Sequence, residues 1–569
     1  MRFVALATDY DGTLAHDGLV PARGVQALER FRASGRRLVL VTGRELDELL
    51  GIFPEIDRFD CVVAENGALL YFPASGEREL LGDPPPPAFV AALQARGVPL
   101  AVGASIVATV EPHETAVLET ISDLGLELQV IFNKGAVMVL PASVNKATGL
   151  AHALARMGLS RHNVAAIGDA ENDHALLHAA EYGVAVANAI ATLKDTADRT
   201  SEQARTDAVI ELIDDILAHD LHEAPMPKRH RILLGHAQDG APVHVDAYAR
   251  ALLIAGTSGS GKSTLATGVL ERLCDQGYQF CVIDPEGDYE DFANGIVFGN
   301  GDRAPGADEV LTALEKPDAN AIANLIALPL EDRPAFFLDL LPRLHALRAR
   351  TGRPHWVLVD ETHHLMPREF DAAPTILAQE SSGMLYVTVH PEWMAPAVSR
   401  SLDAVAVLGA SPAQALAAVA LAADMAAPDA DDETLPPGQA LFWRLGDAAA
   451  LPFAVVGPRA QRRRYRRKYA EGELTEDRSF WFRGPQGKLR LRARNLLEFL
   501  QIGEGVDDET WQHHLRAHDY SRWMRDFIKD PELGQDVARI EDEAALDAAE
   551  SRRRVRATVQ QRCTLPASG

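Results

Sequence analysis

The chain has 569 residues, more than one hydrophobic core can organise, so it should divide into about three or four domains. Its formal net charge of −25, from 81 acidic against 56 basic residues, excludes a surface that attracts nucleic acid on average and leaves any such contact to local basic patches. Cys61, Cys274, Cys281 and Cys563 lie far apart without a CxxC pair, which argues against a disulfide framework and a zinc site, and no apolar run reaches the ~18 residues that a membrane helix needs.

The chain reads straight into a strand, Phe3-Val4-Ala5-Leu6-Ala7, with no basic-then-apolar leader, so a soluble cytoplasmic protein is expected. Residues 4–7, 38–41, 62–64 and 164–167 are strand-like, with helical stretches such as 24–34 and 148–157 between them. That alternation predicts a parallel sheet covered by helices on both faces. Pro84 to Pro87 is a rigid extended stretch that marks entry to an inserted unit. The helical pattern stops around Ala224-Pro225-Met226-Pro227-Lys228, and a second strand–loop–helix run begins at Ala251. The predicted architecture is therefore α/β: a Rossmann-like core over 1–82 and 141–222, an α+β cap at 83–140, and a linker at 223–232. A P-loop α/β domain at 233–458, a basic, mostly helical domain at 459–550 and a flexible tail at 551–569 complete it.

Asp9-Tyr10-Asp11-Gly12-Thr13 follows the first strand, where open parallel sheets place ligands, and Gly12 permits a sharp turn beyond the two carboxylates. Phosphate-ester hydrolysis through a covalent intermediate needs a carboxylate nucleophile and a separate acid for the leaving oxygen; Asp9 and Asp11 are the candidates. Thr42, in Val39-Leu40-Val41-Thr42-Gly43, offers a hydroxyl for a phosphate oxygen, and Lys146 offers a positive charge to the transferring group. In Ile167-Gly168-Asp169-Ala170-Glu171-Asn172-Asp173, Asp169 and Asp173 are spaced to bind Mg²⁺ together with Asp9 and Asp11. These four motifs, in this order, resemble the haloacid dehalogenase phosphatase superfamily over about residues 1–220. The long Thr42-to-Lys146 gap, with Glu65-Asn66-Gly67-Ala68 inside it, resembles the subgroup whose cap follows the third strand, which includes Cof-type, sucrose-phosphate and archaeal phosphoglycolate phosphatases. The resemblance implies an aspartyl-phosphate on Asp9, water activated by Asp11, and a cap that sets specificity for a phosphomonoester.

Gly256-Thr257-Ser258-Gly259-Ser260-Gly261-Lys262-Ser263-Thr264 is GxxxxGK[ST] between a strand and a helix. Its glycines let backbone N–H groups, including those of Ser258 and Ser260, wrap the phosphates of ATP; Lys262 reaches the β/γ-phosphates and Ser263 ligates Mg²⁺. His355-Trp356-Val357-Leu358-Val359-Asp360-Glu361 ends a buried strand in two acids, Asp360 for the metal and Glu361 for the attacking water. Val282-Ile283-Asp284-Pro285-Glu286-Gly287-Asp288-Tyr289 and Asp360-Glu361-Thr362-His363-His364-Leu365-Met366-Pro367 resemble elements of the HerA/FtsK ATPases over about residues 230–458, with Asp288 in place of the usual Glu. Their sensor strand has a counterpart in Leu385-Tyr386-Val387-Thr388-Val389-His390, where His390 replaces the usual Gln. The resemblance implies a homo-oligomer, as large as a hexamer, with Arg400 a candidate for the arginine supplied to a neighbouring subunit.

Between Gln461 and Arg494 twelve basic residues stand against four acids, with Tyr465, Tyr469, Phe480, Trp481 and Phe482 interleaved. Such a mix can grip phosphates and stack on bases, making the 462–494 stretch a candidate nucleic-acid surface; it can equally dock on the acidic remainder of the chain. Trp511, Tyr520, Trp523 and Phe527 recur at near-helical spacing and read as core. Four readings remain open at this point. They are a phosphatase joined to a nucleic-acid motor, a small-molecule phosphatase gated by ATP, a phosphatase–kinase pair for polynucleotide ends, and an oligomeric scaffold regulated by ATP.

Overall fold

Short aliphatic runs, too short for helices and bounded by turn residues, become fully buried strands at the centre of two separate sheets. A computed structural model describes the chain apart from residues 134, 223, 225–226, 249–250, 370–381, 460–473, 475–478, 529, 544 and 564–569. The first sheet runs in the order Arg199–Thr200, Tyr182–Ala185, Val164–Gly168, Ala5–Asp9, Arg37–Val41, Cys61–Ala64, Leu69–Phe72, Glu77–Leu80. Its six leading strands are parallel and its last two pair antiparallel. Helices such as Ala22–Ala33, Lys146–Met157 and Thr206–His219 bury Phe31, Leu150, Leu154, Leu212 and Ile216 against it.

Between the strand Glu77–Leu80 and Pro141 lies a four-stranded antiparallel sheet, ordered Ala101–Val102, Val107–Val110, Ala136–Pro141, Leu128–Asn133. Two helices, Pro87–Ala95 and Glu114–Asp123, pack on it through Phe89, Leu93 and Val117.

The second sheet has eleven strands in the order Pro242–Val245, Ile232–Ala237, Leu451–Val455, Gln439–Arg444, Ala404–Leu408, Ala251–Gly256, Met384–Thr388, Trp356–Val359, Phe280–Asp284, Ala321–Asn324, Ile296–Phe298. The seven strands from Ala404–Leu408 onward are parallel. The mixed α/β class expected from the alternating pattern is the class observed.

The two sheets meet through the ends from which their strands start. Asn163, just before the strand Val164–Gly168, donates through Nδ2 to the Gly352 carbonyl at 3.2 Å, and its Oδ1 lies 3.2 Å from His355 Nε2, just before the strand Trp356–Val359. Arg353 donates to the Gly158 carbonyl at 3.1 Å, and the Tyr248 hydroxyl donates to the His162 carbonyl at 2.7 Å.

The C-terminal region is a two-stranded ribbon, Phe480–Phe482 with Leu491–Ala493, under five helices between Leu496 and Cys563. Phe480 and Phe482 are buried in one aromatic core with Phe499, Trp511, Tyr520 and Trp523. This corrects the base-stacking expectation for those two rings: residues i and i+2 of a strand share a face, and here that face is the inner one. Trp511, Tyr520 and Trp523 are core as expected, whereas Phe527 is exposed. The expected basic contacts at 462–468 and Arg478, and the stacking rings Tyr465 and Tyr469, lie outside the described residues. Among the described residues no helix is long and apolar enough to cross a membrane.

Candidate active sites

Three neighbouring strands of the first sheet end side by side and deliver three of the expected groups. Asp9 is the last residue of Ala5–Asp9, Thr42 follows Arg37–Val41, and Asp169 follows Val164–Gly168. Lys146 opens the helix Lys146–Met157, whose N-cap Asn145 accepts hydrogen bonds from the Ala147 and Thr148 amides. That cap fixes the first turn, and the buried ammonium then bridges Asp9 Oδ1 at 2.7 Å and Asp173 Oδ1 at 2.6 Å. The second oxygen of Asp173 accepts from the Asp169 and Ala170 amides at 2.9 and 3.0 Å, tying the turn closed. Two glycines make these approaches feasible. A Cβ on Gly168 would sit 2.6 Å from Asp173 Cγ, and one on Gly67, at φ +106°, would meet the Asn145 carbonyl oxygen at 2.0 Å.

Asp9, Asp169 and Asp173 are all buried, with one oxygen of each within 4.8 Å of the others. Burial, and then the neighbouring Asp173, push the Asp9 carboxyl up to about 8 against the pull of Lys146. Burial works against the Lys146 charge too, but Asp173 and Asp9 outweigh it and hold that ammonium above the ordinary lysine value. Three buried carboxylates facing one ammonium leave an excess of negative charge, which is costly unless a cation joins them. The all-oxygen donor set fits a hard divalent cation.

Asp11 stands apart from this cluster, half-exposed, with its two oxygens held by Arg44 Nε at 2.6 Å and Nη2 at 2.8 Å. Thr42 is buried, and its hydroxyl accepts from the Arg44 amide at 3.1 Å. Of the four aspartates expected at the metal, Asp11 does not join the cluster, and Asp173 has both oxygens engaged by Lys146 and the turn. Asp9 and Asp169 are the members of the cluster that line the cavity. The cavity above them has a volume of about 240 Å³, walled by Arg44, Glu45 and Glu48 from the core and by Ala101, Ile106, Ala108 and Met138 from the inserted unit. Glu65, at φ +52°, accepts from the Ala104, Ser105 and Ile106 amides and latches that unit over the core.

Arg44 was not among the residues expected at the site, although it sits two residues past Thr42. Glu65 was singled out only within the Glu65-Asn66-Gly67-Ala68 stretch; its role as a latch was not legible, because its partners are backbone amides of the inserted unit.

In the second sheet the strand Ala251–Gly256 runs into Gly256 (φ +147°), Gly259 (φ +76°) and Gly261 (φ +102°), and the helix Lys262–Gln276 follows. Lys262 Nζ donates to the Thr257 carbonyl at 2.9 Å. One strand, Met384–Thr388, separates the P-loop strand from Trp356–Val359, so Asp360 and Glu361 face the loop across it. Burial, then the Glu361, Asp288 and Asp284 carboxylates, push Asp360 well up. Glu361 itself sits at φ +42°, an uncommon left-handed conformation at the strand end.

The cavity here is about 670 Å³ and is lined by Thr257, Ser258, Gly259, Gly261, Lys262, Ser263 and Thr264, by the four acids Glu286, Asp288, Asp360 and Glu361, and by a histidine-rich wall. In that wall His363 Nδ1 lies 3.0 Å from Thr388 Oγ1, and His390 stacks on Trp393 with ring centroids 3.7 Å apart. Asp284 accepts from the Asp288 and Tyr289 amides, closing the loop that carries Asp288. Arg400 is exposed and paired with Asp424 of its own chain at 3.0 Å.

Residues 6–81 and 109–213 match the family described as haloacid dehalogenase-like hydrolase, and residues 232–336 match the one described as helicase HerA, central domain. The chain is similar to phosphoglycolate phosphatases. It is 34% identical to that of Natronomonas pharaonis over 37% of this chain and 96% of the relative, and 31% identical to that of Methanothermobacter thermautotrophicus over 37% of this chain and 96% of the relative.

Proposed function

Because this chain belongs to the haloacid dehalogenase-like hydrolases and also carries a segment matching the HerA central domain, we propose that it is a Mg²⁺-dependent phosphatase of a small phosphomonoester, fused to an ATP-hydrolysing module. The observation that carries the reading is the buried Asp9–Lys146–Asp173 bridge beside Asp169.

In this mechanism Lys146 holds Asp9 Oδ1, leaving Oδ2 as the attacking oxygen. That oxygen forms a bond to phosphorus while the ester oxygen leaves with a proton from Asp11, giving an aspartyl-phosphate and an alcohol. Asp11 then takes a proton from water, which attacks phosphorus and releases inorganic phosphate and the free Asp9 carboxylate. Arg44 grips both Asp11 oxygens, so substrate entry must loosen at least one of those contacts before Asp11 carries a proton. The Thr42 hydroxyl and the Lys146 ammonium hold phosphoryl oxygens. Asp9 and Asp169 would hold Mg²⁺, which would supply the positive charge that lets an anionic nucleophile approach an anionic phosphate.

The cavity of about 240 Å³, with its mostly apolar lid wall, favours a small substrate such as the phosphoglycolate of the relatives' names over a polynucleotide end. At the second site Lys262 and the loop amides hold ATP phosphates, with Ser263 and Asp360 as ligands for its Mg²⁺. Glu361 is the group that polarises water, which supports hydrolysis rather than transfer to another acceptor. A nucleic-acid motor is the second reading, supported by the HerA match at 232–336, and an oligomer using Arg400 belongs to it.

A phosphomonoester panel that includes phosphoglycolate and a 5′-phosphorylated oligonucleotide tests the assignment. Turnover of small esters, lost in Asp9→Asn, supports it; activity retained in that variant removes Asp9 from the nucleophile role. ATPase rates with and without DNA across a salt series decide the motor reading.

A further inference from the structure

The phosphatase core and the ATPase half share a buried cluster that neither proposed reaction uses. His162 precedes the strand Val164–Gly168, Glu181 precedes Tyr182–Ala185, and His230 ends the 3-10 turn Lys228–His230 that leads into the second half of the chain. All three are buried, His162 and Glu181 completely. One ligand-type atom from each lies within 4.8 Å of the others.

We propose that His162 Nδ1, Glu181 Oε2 and His230 Nε2 form a structural site for a divalent transition-metal ion that pins the linker turn and the ATPase half to the base of the phosphatase core. The separations suit one ion. Metal–nitrogen and metal–oxygen bonds of about 2.0–2.1 Å put adjacent ligand atoms about 2.9 Å apart in octahedral and about 3.4 Å in tetrahedral geometry. Here the Nδ1-to-Oε2 distance is 2.7 Å and the Nε2-to-Oε2 distance is 3.5 Å, either side of that range.

The outer contacts are those that orient metal ligands. The far nitrogen of His162 lies 2.7 Å from the Gln276 carbonyl, which accepts its proton and leaves Nδ1 to coordinate. Glu181 is steered from both sides: Arg2 lies 3.4 Å from Oε1, and the Tyr278 hydroxyl donates to Oε2 at 3.0 Å. Tyr278 also stacks on the His162 ring at 3.7 Å, closing the site to solvent. His230 Nε2 supplies the independent sign of a ligand, being buried without a hydrogen-bond partner. A metal ion would satisfy it and would replace the proton shared between His162 and Glu181. Two imidazoles and one carboxylate select Zn²⁺, Co²⁺ or Ni²⁺ over Mg²⁺, which separates this site from the all-carboxylate one.

The test uses the full-length protein, stripped with chelator, dialysed and titrated with Co²⁺. We expect one equivalent of Co²⁺ to produce visible d–d absorption that persists in Asp9→Asn and in His390→Ala but is lost in His230→Gln. Metal analysis after exposure to Zn²⁺ should fall by one equivalent in the same variant. His162→Gln should lose the band as well; if that buried variant does not fold, His230→Gln, on a linker turn, still decides the matter. A wild-type protein without d–d absorption at saturating Co²⁺, or a band unchanged in His230→Gln, would show the cluster to be a metal-free hydrogen-bonded junction and overturn the proposal.

Discussion

Replacing Lys146 by Met removes the ammonium while keeping most of its length and apolar stem. In the wild-type protein the charge lies 2.7 Å from Asp9 and 2.6 Å from Asp173, buried with both. At an effective dielectric constant of about 20, a pair at 2.7 Å attracts by about 6 kcal/mol, and the usual net loss on stripping one partner from a buried pair is about 3–5 kcal/mol. One pKa unit corresponds to about 1.4 kcal/mol, so Asp9 should become harder to ionise by roughly 2 units or more. The phosphatase pH–rate profile measured at saturating Mg²⁺ reports that change directly. The acid limb should move to higher pH in Lys146→Met, and kcat at pH 7 should fall by a factor of about 10²–10³, as when one preorganised charge is removed from a transition state. ATP hydrolysis by the same protein serves as the internal control for folding. An acid limb that stays within half a unit of wild type, with kcat reduced, would mean that Lys146 acts only on the phosphoryl group and does not set the charge of Asp9.

Gly67→Ala forces a side chain at φ +106° into the carbonyl oxygen of Asn145, one residue before Lys146. It should cost roughly 2 kcal/mol or more in urea-midpoint stability of the phosphatase transition and depress kcat, whereas a wild-type midpoint would refute the close approach. Lys262→Ala should lower ATP hydrolysis at least about a hundredfold and leave phosphatase turnover intact, with Asp9→Asn doing the reverse; a loss of both activities in either variant would reveal coupling. Glu65→Gln removes the charge from a carboxylate that accepts three amides of the inserted unit. It should raise KM more than it lowers kcat, because the cap opens more readily; an unchanged KM would argue that this latch does not govern closure. With metal removed by chelator, the Asp9 carboxyl titrates near pH 8 rather than near its ordinary value of 3.8. Below pH 4 both folded and unfolded chains hold that proton, and between about 4 and 8 only the folded chain does, so stability should decline as pH rises through that window. Urea midpoints across that range should show a shallower decline in Asp9→Asn, and parallel curves would remove the claim.

The fold class was readable, and the residues proposed for the two sites stand together in the fold, because each rests on residue identity at a strand end. Asp9, Thr42, Asp169 and Asp360 come after runs that are apolar enough to be buried on both faces, and the chemistry allows few substitutes at those points. The sequence misled where a pattern has two physical origins. Phe480 and Phe482 among basic residues resemble a stacking platform, but their i, i+2 spacing puts both rings on one side of a two-stranded ribbon, against Phe499 and Trp523. Trp481, on the other side, lies under Arg490 at 5.3 Å. Asp11 was expected both as the acid–base group and among the metal ligands; here its carboxylate pairs with Arg44, a contact that no spacing rule singles out. The junction of His162, Glu181 and His230 left no trace in the sequence at all, since the cysteine pattern carries no information about a site made of histidines and a carboxylate from three separate segments.

That junction also decides how the two halves of the chain can influence one another. Open parallel sheets bind ligands at the ends where their strands finish, and Asp9, Asp169 and Asp360, the residues proposed for the two sites, lie at such ends. The contacts between the halves lie at the opposite ends, through Asn163 and His355, each at the start of its strand. A five-residue strand rises about 16 Å, so a strand's length of packed core lies between the junction and each site. The residues proposed for the two sites therefore lie at the ends of their strands away from this junction. Any coupling has to travel as a change in position or rigidity of the strands Val164–Gly168 and Trp356–Val359, whose far ends carry Asp169 and Asp360. Coupling of that kind is reciprocal in binding free energy: if a nucleotide at Lys262 alters affinity for a phosphate analogue at Asp9, the analogue must alter nucleotide affinity by the same factor. Titrating each ligand with and without the other measures that factor, and variants at His355 or Asn163 should pull it toward one while leaving each separate affinity intact. A factor away from one that survives both substitutions would place the route elsewhere than through this junction.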